Sequence, residues 1–334
     1  MAVKVAINGF GRIGRCAARI ITKRDGVELV AVNDTSKREM TKTLLKYDSV
    51  HGKFDEIVKI LEDDYMQIGS QKVKFFSDRD PNNLKFAECG ADVVLECTGA
   101  LLTQEKAMPH IKRGVKKVVF SAPAKDDTPT FVMGVNHDKY NGENIVSNAS
   151  CTTNALAPIV KLLNDTFGIK KGLMTTIHSY TNDQNLLDVK HKKDLRRARA
   201  AAVNIIPTTT GAAKAIGLVL PELNGKLQGL AVRVPTPDVS MIDLSVEVRK
   251  NISLDELKKV IKDASDESYK GYIGIDEEKL VSSDFVGESV STIIPLDLLQ
   301  VVDGNLIKVM SWYDNEWGYS QRLVDMAEYV VNKG

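Results

Sequence analysis

Cys151 lies in the run Ser147-Asn148-Ala149-Ser150-Cys151-Thr152-Thr153-Asn154, directly ahead of the apolar stretch Ala155-Leu156-Ala157-Pro158-Ile159-Val160. The pattern predicts a thiol in the first turn of a helix. Backbone N–H groups and the positive end of the helix dipole favour a thiolate there, and such surroundings can lower a cysteine pKa from about 8.5 to roughly 3.5–7.5. Free cysteines are commonly buried for packing. Here, however, Asn148, Ser150, Thr152, Thr153 and Asn154 surround the thiol with hydroxyl and amide groups, which marks it as a nucleophile. Cys16, Cys89 and Cys97 have mostly apolar or small neighbours and read as packing. A thiol nucleophile calls for a base. Of the five histidines only His178 closes an apolar strand pattern, Leu173-Met174-Thr175-Thr176-Ile177. On residues alone it reads equally as that base or as a hydrogen-bonded histidine at a strand end. His51, His110, His137 and His191 read as structural or surface groups.

A second chemical signal opens the chain. Val3-Lys4-Val5-Ala6-Ile7 has the pattern of a buried strand and runs into Asn8-Gly9-Phe10-Gly11-Arg12-Ile13-Gly14, a G-x-G-x-x-G spacing. Gly9 permits the tight turn, Gly11 lets backbone approach a pyrophosphate, and Gly14 lets the following helix pack closely on the strand, its N-terminus facing the anion. The next strand pattern, Leu29-Val30-Ala31-Val32-Asn33, ends at Asp34, about 20 residues on, where a carboxylate can bind ribose hydroxyls. That carboxylate repels a 2′-phosphate, so the motif favours NAD over NADP.

These residues need a scaffold, and the apolar pattern supplies one. Strand-like runs at residues 3–7, 29–32, 93–95, 117–120 and 145–146 alternate with helical or capped segments, as in a parallel sheet of an α/β fold. The last run leads straight to Ser150 and Cys151, at the carboxyl end of the sheet where such folds bind ligands. Runs at 57–61 and 73–76 predict a small antiparallel insertion. The second half has longer strand patterns at 230–234, 242–248 and 306–313 and a helix signalled by Ser253 and Glu256, which fit a capping box, so an α+β domain is expected. Residues 320–331 carry apolar positions at helical intervals. Residues 181–202 are polar and aperiodic, with the basic run Lys190-His191-Lys192-Lys193-Asp194-Leu195-Arg196-Arg197. A structureless stretch of that length inside a domain is generally functional.

The 334 residues suffice for two domains with sizeable cores. With 45 Lys+Arg against 44 Asp+Glu, the net charge of +1 gives no argument for a nucleic acid or membrane partner. The four cysteines lack the spacing of a disulfide framework or a zinc site, and no metal is expected. The N-terminus enters a strand without an apolar signal core, and no run approaches about 18 apolar residues. A reducing cytoplasm fits best.

The glycine motif at residues 8–14, paired with residues 149–154, resembles the phosphorylating, NAD-dependent glyceraldehyde-3-phosphate dehydrogenases of bacteria. The likeness extends through Ser121-Ala122-Pro123, Ile177-His178-Ser179-Tyr180-Thr181, Arg196-Arg197-Ala198-Arg199, Thr208-Thr209-Thr210-Gly211-Ala212-Ala213, Arg233-Val234-Pro235 and Tyr313-Asp314-Asn315-Glu316, essentially the whole chain. The resemblance implies a Rossmann-type dinucleotide domain, residues 1–150 with 317–334, and an α+β catalytic domain, residues 151–316. It implies a cytoplasmic homotetramer of glycolysis and gluconeogenesis that converts D-glyceraldehyde 3-phosphate and inorganic phosphate to 1,3-bisphosphoglycerate. Cys151 forms a thiohemiacetal and then a thioester, with His178 as base. Thr181, Asp183, Arg197 and Arg233 are assigned to the substrate's phosphate. Ser150, Thr152, Thr210 and Gly211 are assigned to the attacking phosphate, with Arg233 near both. Gly9, Gly11, Arg12, Ile13, Gly14, Asp34, Arg79, Ser121 and Asn315 are assigned to NAD, Asn315 to its carboxamide. Asp183 repels a dianion, so it is expected to orient an arginine or act through water. In the family, residues 181–202 form a loop at a subunit interface that reaches a neighbour's cofactor site, and residues 320–331 pack back on the dinucleotide domain.

Two rivals remain at this level. Erythrose-4-phosphate dehydrogenase shares the cysteine, histidine and dinucleotide motif but lacks the Thr210-Gly211-Ala212-Ala213 and Ser179-Tyr180-Thr181 patterns. An NAD-binding redox sensor needs the thiol but no pair of phosphate sites. One position departs from the NAD-specific bacterial pattern: Val189-Lys190 stands where Leu-Pro is typical.

From Asp34 and Lys190 we predict that kcat/KM for NAD exceeds that for NADP, with Lys190 narrowing the gap by about 0.2–1 kcal/mol, the scale of an exposed ion pair. Lys190→Pro should widen the ratio. Equal values for the two cofactors would remove the role given to Asp34, and an unchanged ratio in the variant would dismiss the lysine.

Overall fold

The run Val3-Lys4-Val5-Ala6-Ile7-Asn8 folds as the strand Val3–Asn8 and buries every residue but Lys4. Continuous apolar runs of this kind suit a parallel sheet covered on both faces. In the computed structural model, residues 2–192 and 194–334 are described, and Lys193 of the basic run lies outside them. The chain divides into two units, Met1–Ser150 with Ser320–Gly334, and Cys151–Tyr319.

The first unit holds an eight-stranded sheet in the order Ile145–Ser147, Lys117–Phe120, Val93–Glu96, Val3–Asn8, Val27–Asn33, Gln71–Phe76, Tyr65–Ile68, Val58–Ile60. All pairings from Ile145–Ser147 through Gln71–Phe76 are parallel. The last two strands are antiparallel. The expected insertion at 57–61 and 73–76 is therefore corrected: Gln71–Phe76 belongs to the main sheet beside Val27–Asn33, and the half-polar strand Tyr65–Ile68 lies between the two runs. Helix Arg38–Lys46, whose Met40 and Leu44 are exposed, carried too weak an apolar stripe to be read.

A buried polar chain staples the carboxyl ends of these strands. Asn33 Nδ2 donates to Asn8 Oδ1 (2.8 Å) and to the Asp78 carbonyl (2.8 Å), and Asn8 Nδ2 donates to Glu96 Oε2 (2.6 Å). Glu96 Oε1 accepts the Thr98 N–H (2.9 Å), and His110 Nε2 from helix Gln104–Lys112 stands 3.5 Å from Oε2. Buried carboxylates persist only when so partnered.

The final helix runs Trp317–Lys333, three residues earlier than its apolar period indicates, because Asp314 Oδ1 accepts the N–H groups of Glu316 (2.9 Å) and Trp317 (2.6 Å) and so caps it. From Ser320 onward the helix belongs to the first unit, where the Tyr140 hydroxyl donates to the Val330 carbonyl (3.2 Å) and Arg24 pairs with Glu328 (2.6 Å).

The second unit is built on a mostly antiparallel sheet in the order Ile206–Thr209, Leu227–Val234, Ile169–Ser179, Ser240–Val248, Leu306–Tyr313, Thr292–Pro295, Ile273–Asp276, with Gln300–Val302 paired to Leu306–Tyr313. Ile169–Ser179 and Leu227–Val234 are parallel neighbours, and their register sets His178 opposite Arg233. Helix Leu254–Asp266 starts where expected, the Ser253 hydroxyl accepting the Glu256 N–H. The described residues of 181–200 form neither helix nor strand. No helix among the described residues is long and apolar enough to cross a membrane.

Glu96→Gln replaces an acceptor that serves several donors with an amide whose own N–H must face one of them. It should cost about 1–3 kcal/mol, the penalty of a buried unpaired donor, read from urea unfolding. A loss below about 0.5 kcal/mol, the scale of a surface substitution, would show that the staple is dispensable.

Candidate active site

Strand Ile145–Ser147 turns into helix Cys151–Phe167 through Ala149, a non-glycine residue held at φ 57°, and the helix begins at Cys151 itself. Such left-handed backbone costs on the order of 1–3 kcal/mol and persists where the surroundings enforce it. Cys151 Sγ lies 3.6 Å from His178 Nε2 and 4.0 Å from Thr152 Oγ1. His178 Nδ1 is 2.7 Å from the Ser179 carbonyl, and Arg233 Nη1 is 2.8 Å from Nδ1 and 2.9 Å from the same carbonyl. When Nδ1–H donates to Ser179, Nε2 faces the sulfur as an acceptor. When Arg233 donates to Nδ1 instead, Nε2–H points at the sulfur. Both neutral tautomers are accommodated.

Burial, and after it the Arg233 charge, pushes the His178 pKa down to about 3, so the imidazole is neutral. Burial pushes the Cys151 thiol up, against the opposing pull of Arg233 and of hydrogen bonds at Thr152. Burial of the sulfur thus opposes the thiolate that the helix terminus favours.

Tyr313 is a member of this cluster that the sequence reading missed. Its hydroxyl bonds Thr152 Oγ1 (3.0 Å) and Thr176 Oγ1 (2.8 Å), and its ring meets that of His178 edge-on with centroids 5.9 Å apart. Burial pushes its phenol well up, so it stays protonated. The signal available was its place beside Asn315 in the quoted 313–316 motif. Asn315 is buried, and its Oδ1 accepts from the hydroxyls of Ser179 (2.8 Å) and Ser240 (2.6 Å).

A second cluster gathers around Arg197. Its Nη1 donates to Asp183 Oδ2 (2.5 Å), Nε to Thr208 Oγ1 (2.8 Å) and Nη2 to the Thr209 carbonyl (3.1 Å). Asp183 thus faces an arginine. Thr210 Oγ1 accepts the Ala212 N–H (3.2 Å) ahead of helix Ala212–Val219, whose N-cap is Gly211, and Gly211 is exposed. The Thr181 N–H reaches Gln184 Oε1 (3.4 Å). Ser150 and Thr152 flank the thiol in sequence, Thr152 with its hydroxyl turned to Tyr313.

In the first unit, the proposed cofactor residues lie at the carboxyl ends of adjacent parallel strands. Gly9 has φ +94°, and a Cβ on it would come within 2.6 Å of Thr98 N; one on Gly14 would come within 2.2 Å of the Gly9 carbonyl oxygen. Gly11, the N-cap of helix Arg12–Ile21, has open space around it. The close approaches at Gly9 and Gly14 admit only glycine, and the open space at Gly11 ahead of the helix N-terminus leaves room for an anion such as a pyrophosphate. Asp34 Oδ2 accepts the Phe10 N–H (3.2 Å) and Oδ1 the Ser36 N–H (2.7 Å), tying the second strand to the glycine turn. Arg12 pairs with Asp48 (2.5 Å), whose carboxyl sits at about 2: backbone N–H donors and Arg12 outweigh its burial. Ile13 is half-buried, Arg79 exposed, and the Ser121 N–H bonds the Glu96 carbonyl (3.0 Å).

Residues 3–104 match the family described as glyceraldehyde 3-phosphate dehydrogenase, NAD binding domain, and residues 150–315 match its C-terminal domain. The chain is 52% identical over 336 residues to the glyceraldehyde-3-phosphate dehydrogenase of Priestia megaterium, covering 100% of both chains. It is 54% identical to glyceraldehyde-3-phosphate dehydrogenase 2 of a Nostoc species, covering 99% of each, and 51% identical to glyceraldehyde-3-phosphate dehydrogenase 1 of Bacillus subtilis, covering 100% of each.

The buried neutral imidazole makes a pH prediction. Free His178 titrates near 6.5 and the folded one near 3. The unfolded chain therefore binds an extra proton in that window, and His178 withdraws stability as pH falls from 6.5 towards 3. His178→Asn should flatten that part of the profile in urea unfolding between pH 7 and 4, and should slow alkylation of Cys151 at pH 7. Equal acid sensitivity in both proteins, or an unchanged alkylation rate, would remove the imidazole from these roles.

Proposed function

The chain belongs to the glyceraldehyde-3-phosphate dehydrogenase family, and from that premise we propose that it oxidises D-glyceraldehyde 3-phosphate with NAD and inorganic phosphate to 1,3-bisphosphoglycerate. The observation that carries this reading is the Cys151 Sγ to His178 Nε2 approach of 3.6 Å, with Arg233 against the far side of the imidazole.

Sγ attacks the aldehyde carbon while its proton passes to Nε2, and the carbonyl oxygen takes that proton back to complete a thiohemiacetal. NAD, when bound, supplies the acceptor for the hydride that leaves this carbon. Nε2 removes the hydroxyl proton in the same oxidation, leaving a thioester on Cys151. A phosphate oxygen then attacks the thioester carbon, the C–S bond breaks, and the sulfur recovers a proton from Nε2. Covalent catalysis keeps the acyl group activated for this transfer. Arg233 discourages a lasting imidazolium by charge, so the proton borne by His178 is readily given up. Tyr313 is fixed by Thr152 and Thr176 through its hydroxyl and sets its ring edge-on to the imidazole.

For the phosphates, Arg197, Arg233 and Thr181 suit the substrate's group by fork and hydroxyl donors, with Asp183 orienting Arg197. Ser150, Thr152, Thr210 and Gly211 serve the attacking phosphate, two of them ahead of the helix N-terminus at Ala212. Gly9, Gly11, Arg12, Ile13 and Gly14 take the pyrophosphate side of NAD, Asp34 the ribose and Asn315 the carboxamide, with Arg79 and Ser121 as further cofactor contacts. Residues 1–150 with 317–334 are assigned to the cofactor and 151–316 to the chemistry. The protein acts in the cytoplasm as a homotetramer in glycolysis and gluconeogenesis. Leu186, Leu187, Leu195, Val203, Ile205 and Leu218, each 67–91% exposed, favour self-association.

Phosphate-dependent NADH formation from glyceraldehyde 3-phosphate should far exceed that from erythrose 4-phosphate, and Cys151→Ser should abolish it with NAD affinity nearly intact. A preference for erythrose 4-phosphate would transfer the chain to the rival activity. Substantial turnover by the serine variant would rule out the thiol as nucleophile.

A further inference from the structure

Five residues of the second unit close a ring of hydrogen bonds. The Asp194 N–H donates to His191 Nδ1 (3.1 Å), so that nitrogen carries no proton and the neutral ring bears its hydrogen on Nε2. Nε2 faces Asp183 Oδ1 at 3.4 Å, and Asp183 Oδ2 takes the N–H of Arg197 Nη1 at 2.5 Å. Arg197 Nε donates to Thr208 Oγ1 (2.8 Å), whose hydroxyl donates to Asp194 Oδ2 (2.5 Å), the residue where the ring began. The His191 side chain is 14% exposed, against 46% for Asp183 and 20% for Arg197, which makes the imidazole the most enclosed of the three.

The arrangement limits how Asp183 holds the arginine. A carboxylate beside a guanidinium gains most from a two-pronged grip that occupies two parallel N–H groups. With Oδ1 engaged by His191, Asp183 gives Arg197 one oxygen only. Of the five guanidinium donors, Asp183, Thr208 and the Thr209 carbonyl take three, Asp194 Oδ2 lies 3.7 Å from Nε, and two N–H groups, one on each Nη, carry no bond among the described residues.

We propose that His191 is a positioning residue of the substrate-phosphate site, which by occupying Asp183 Oδ1 keeps Arg197 from being captured by the carboxylate and leaves its fork open to the phosphate of an aldehyde phosphate. It rests on the reading above in which Arg197 meets that phosphate. His191 thereby sets the preference for a phosphorylated over an unphosphorylated aldehyde without touching either.

The test compares two variants in the full chain with NAD, on glyceraldehyde 3-phosphate and on glyceraldehyde. His191→Asn keeps an acceptor for the Asp194 N–H but has no donor long enough for Asp183. His191→Gln carries an amide N–H of the right reach. The asparagine variant should raise KM for the phosphorylated substrate and lower the ratio of the two kcat/KM values by about 10-fold to 100-fold, the scale of an ångström-sized misplacement. The glutamine variant should restore most of the ratio. An unchanged ratio in His191→Asn, an equal loss on both substrates, or the same loss in both variants would overturn the proposal. Arg197→Ala in the same assay separates the two readings: if it too leaves the ratio unchanged, the phosphate assignment of Arg197 fails. If it collapses the ratio while His191→Asn does not, only the role of His191 fails.

Discussion

The parallel pairing of Ile169–Ser179 with Leu227–Val234 sets His178 opposite Arg233, so that a guanidinium and a buried imidazole share the carbonyl of Ser179. Burial first and that contact second push the imidazole towards its neutral form. An imidazole enclosed beside a fixed cation cannot carry a lasting proton, and the thiol it faces is enclosed as well. Burial thus works against a thiolate at Sγ, and burial together with the Arg233 charge works against an imidazolium at His178. A charged resting pair would need desolvation of both ions to be offset by their attraction, which low-dielectric surroundings repay only with complete hydrogen bonding.

Around this contact the second unit distributes regular backbone structure unevenly. Helix Cys151–Phe167 and the sheet hold Cys151, His178, Arg233 and Tyr313 through regular backbone pairing and buried hydroxyls. Arg197 and Asp183 sit instead on a stretch without regular structure, where side-chain bonds must do the positioning that backbone ladders do elsewhere. This division matches the tasks: bond-making needs atoms fixed closely, while a phosphate held through donor forks tolerates a site assembled from a loop. In the first unit the Asp78–Asn33–Asn8–Glu96–Thr98 chain plays the equivalent part, binding strand ends whose backbone hydrogen bonds have run out.

The sequence alone established the elements whose signal is local. The G-x-G-x-x-G turn, the strand before it, the helix opening at Cys151 and the Ser253 cap are each written in contiguous residues, because turn geometry, dipole and apolar period act over one or two helical turns. The tertiary structure decided what depends on neighbours distant in sequence. It set the placement of Gln71–Phe76 in the main sheet and the contact of Tyr313 with Thr152 and Thr176, residues 161 and 137 positions away. It also set the burial that opposes a thiolate at Cys151. A helix terminus can be read from spacing, but the burial that opposes its effect on the thiol is a property of the packed interior.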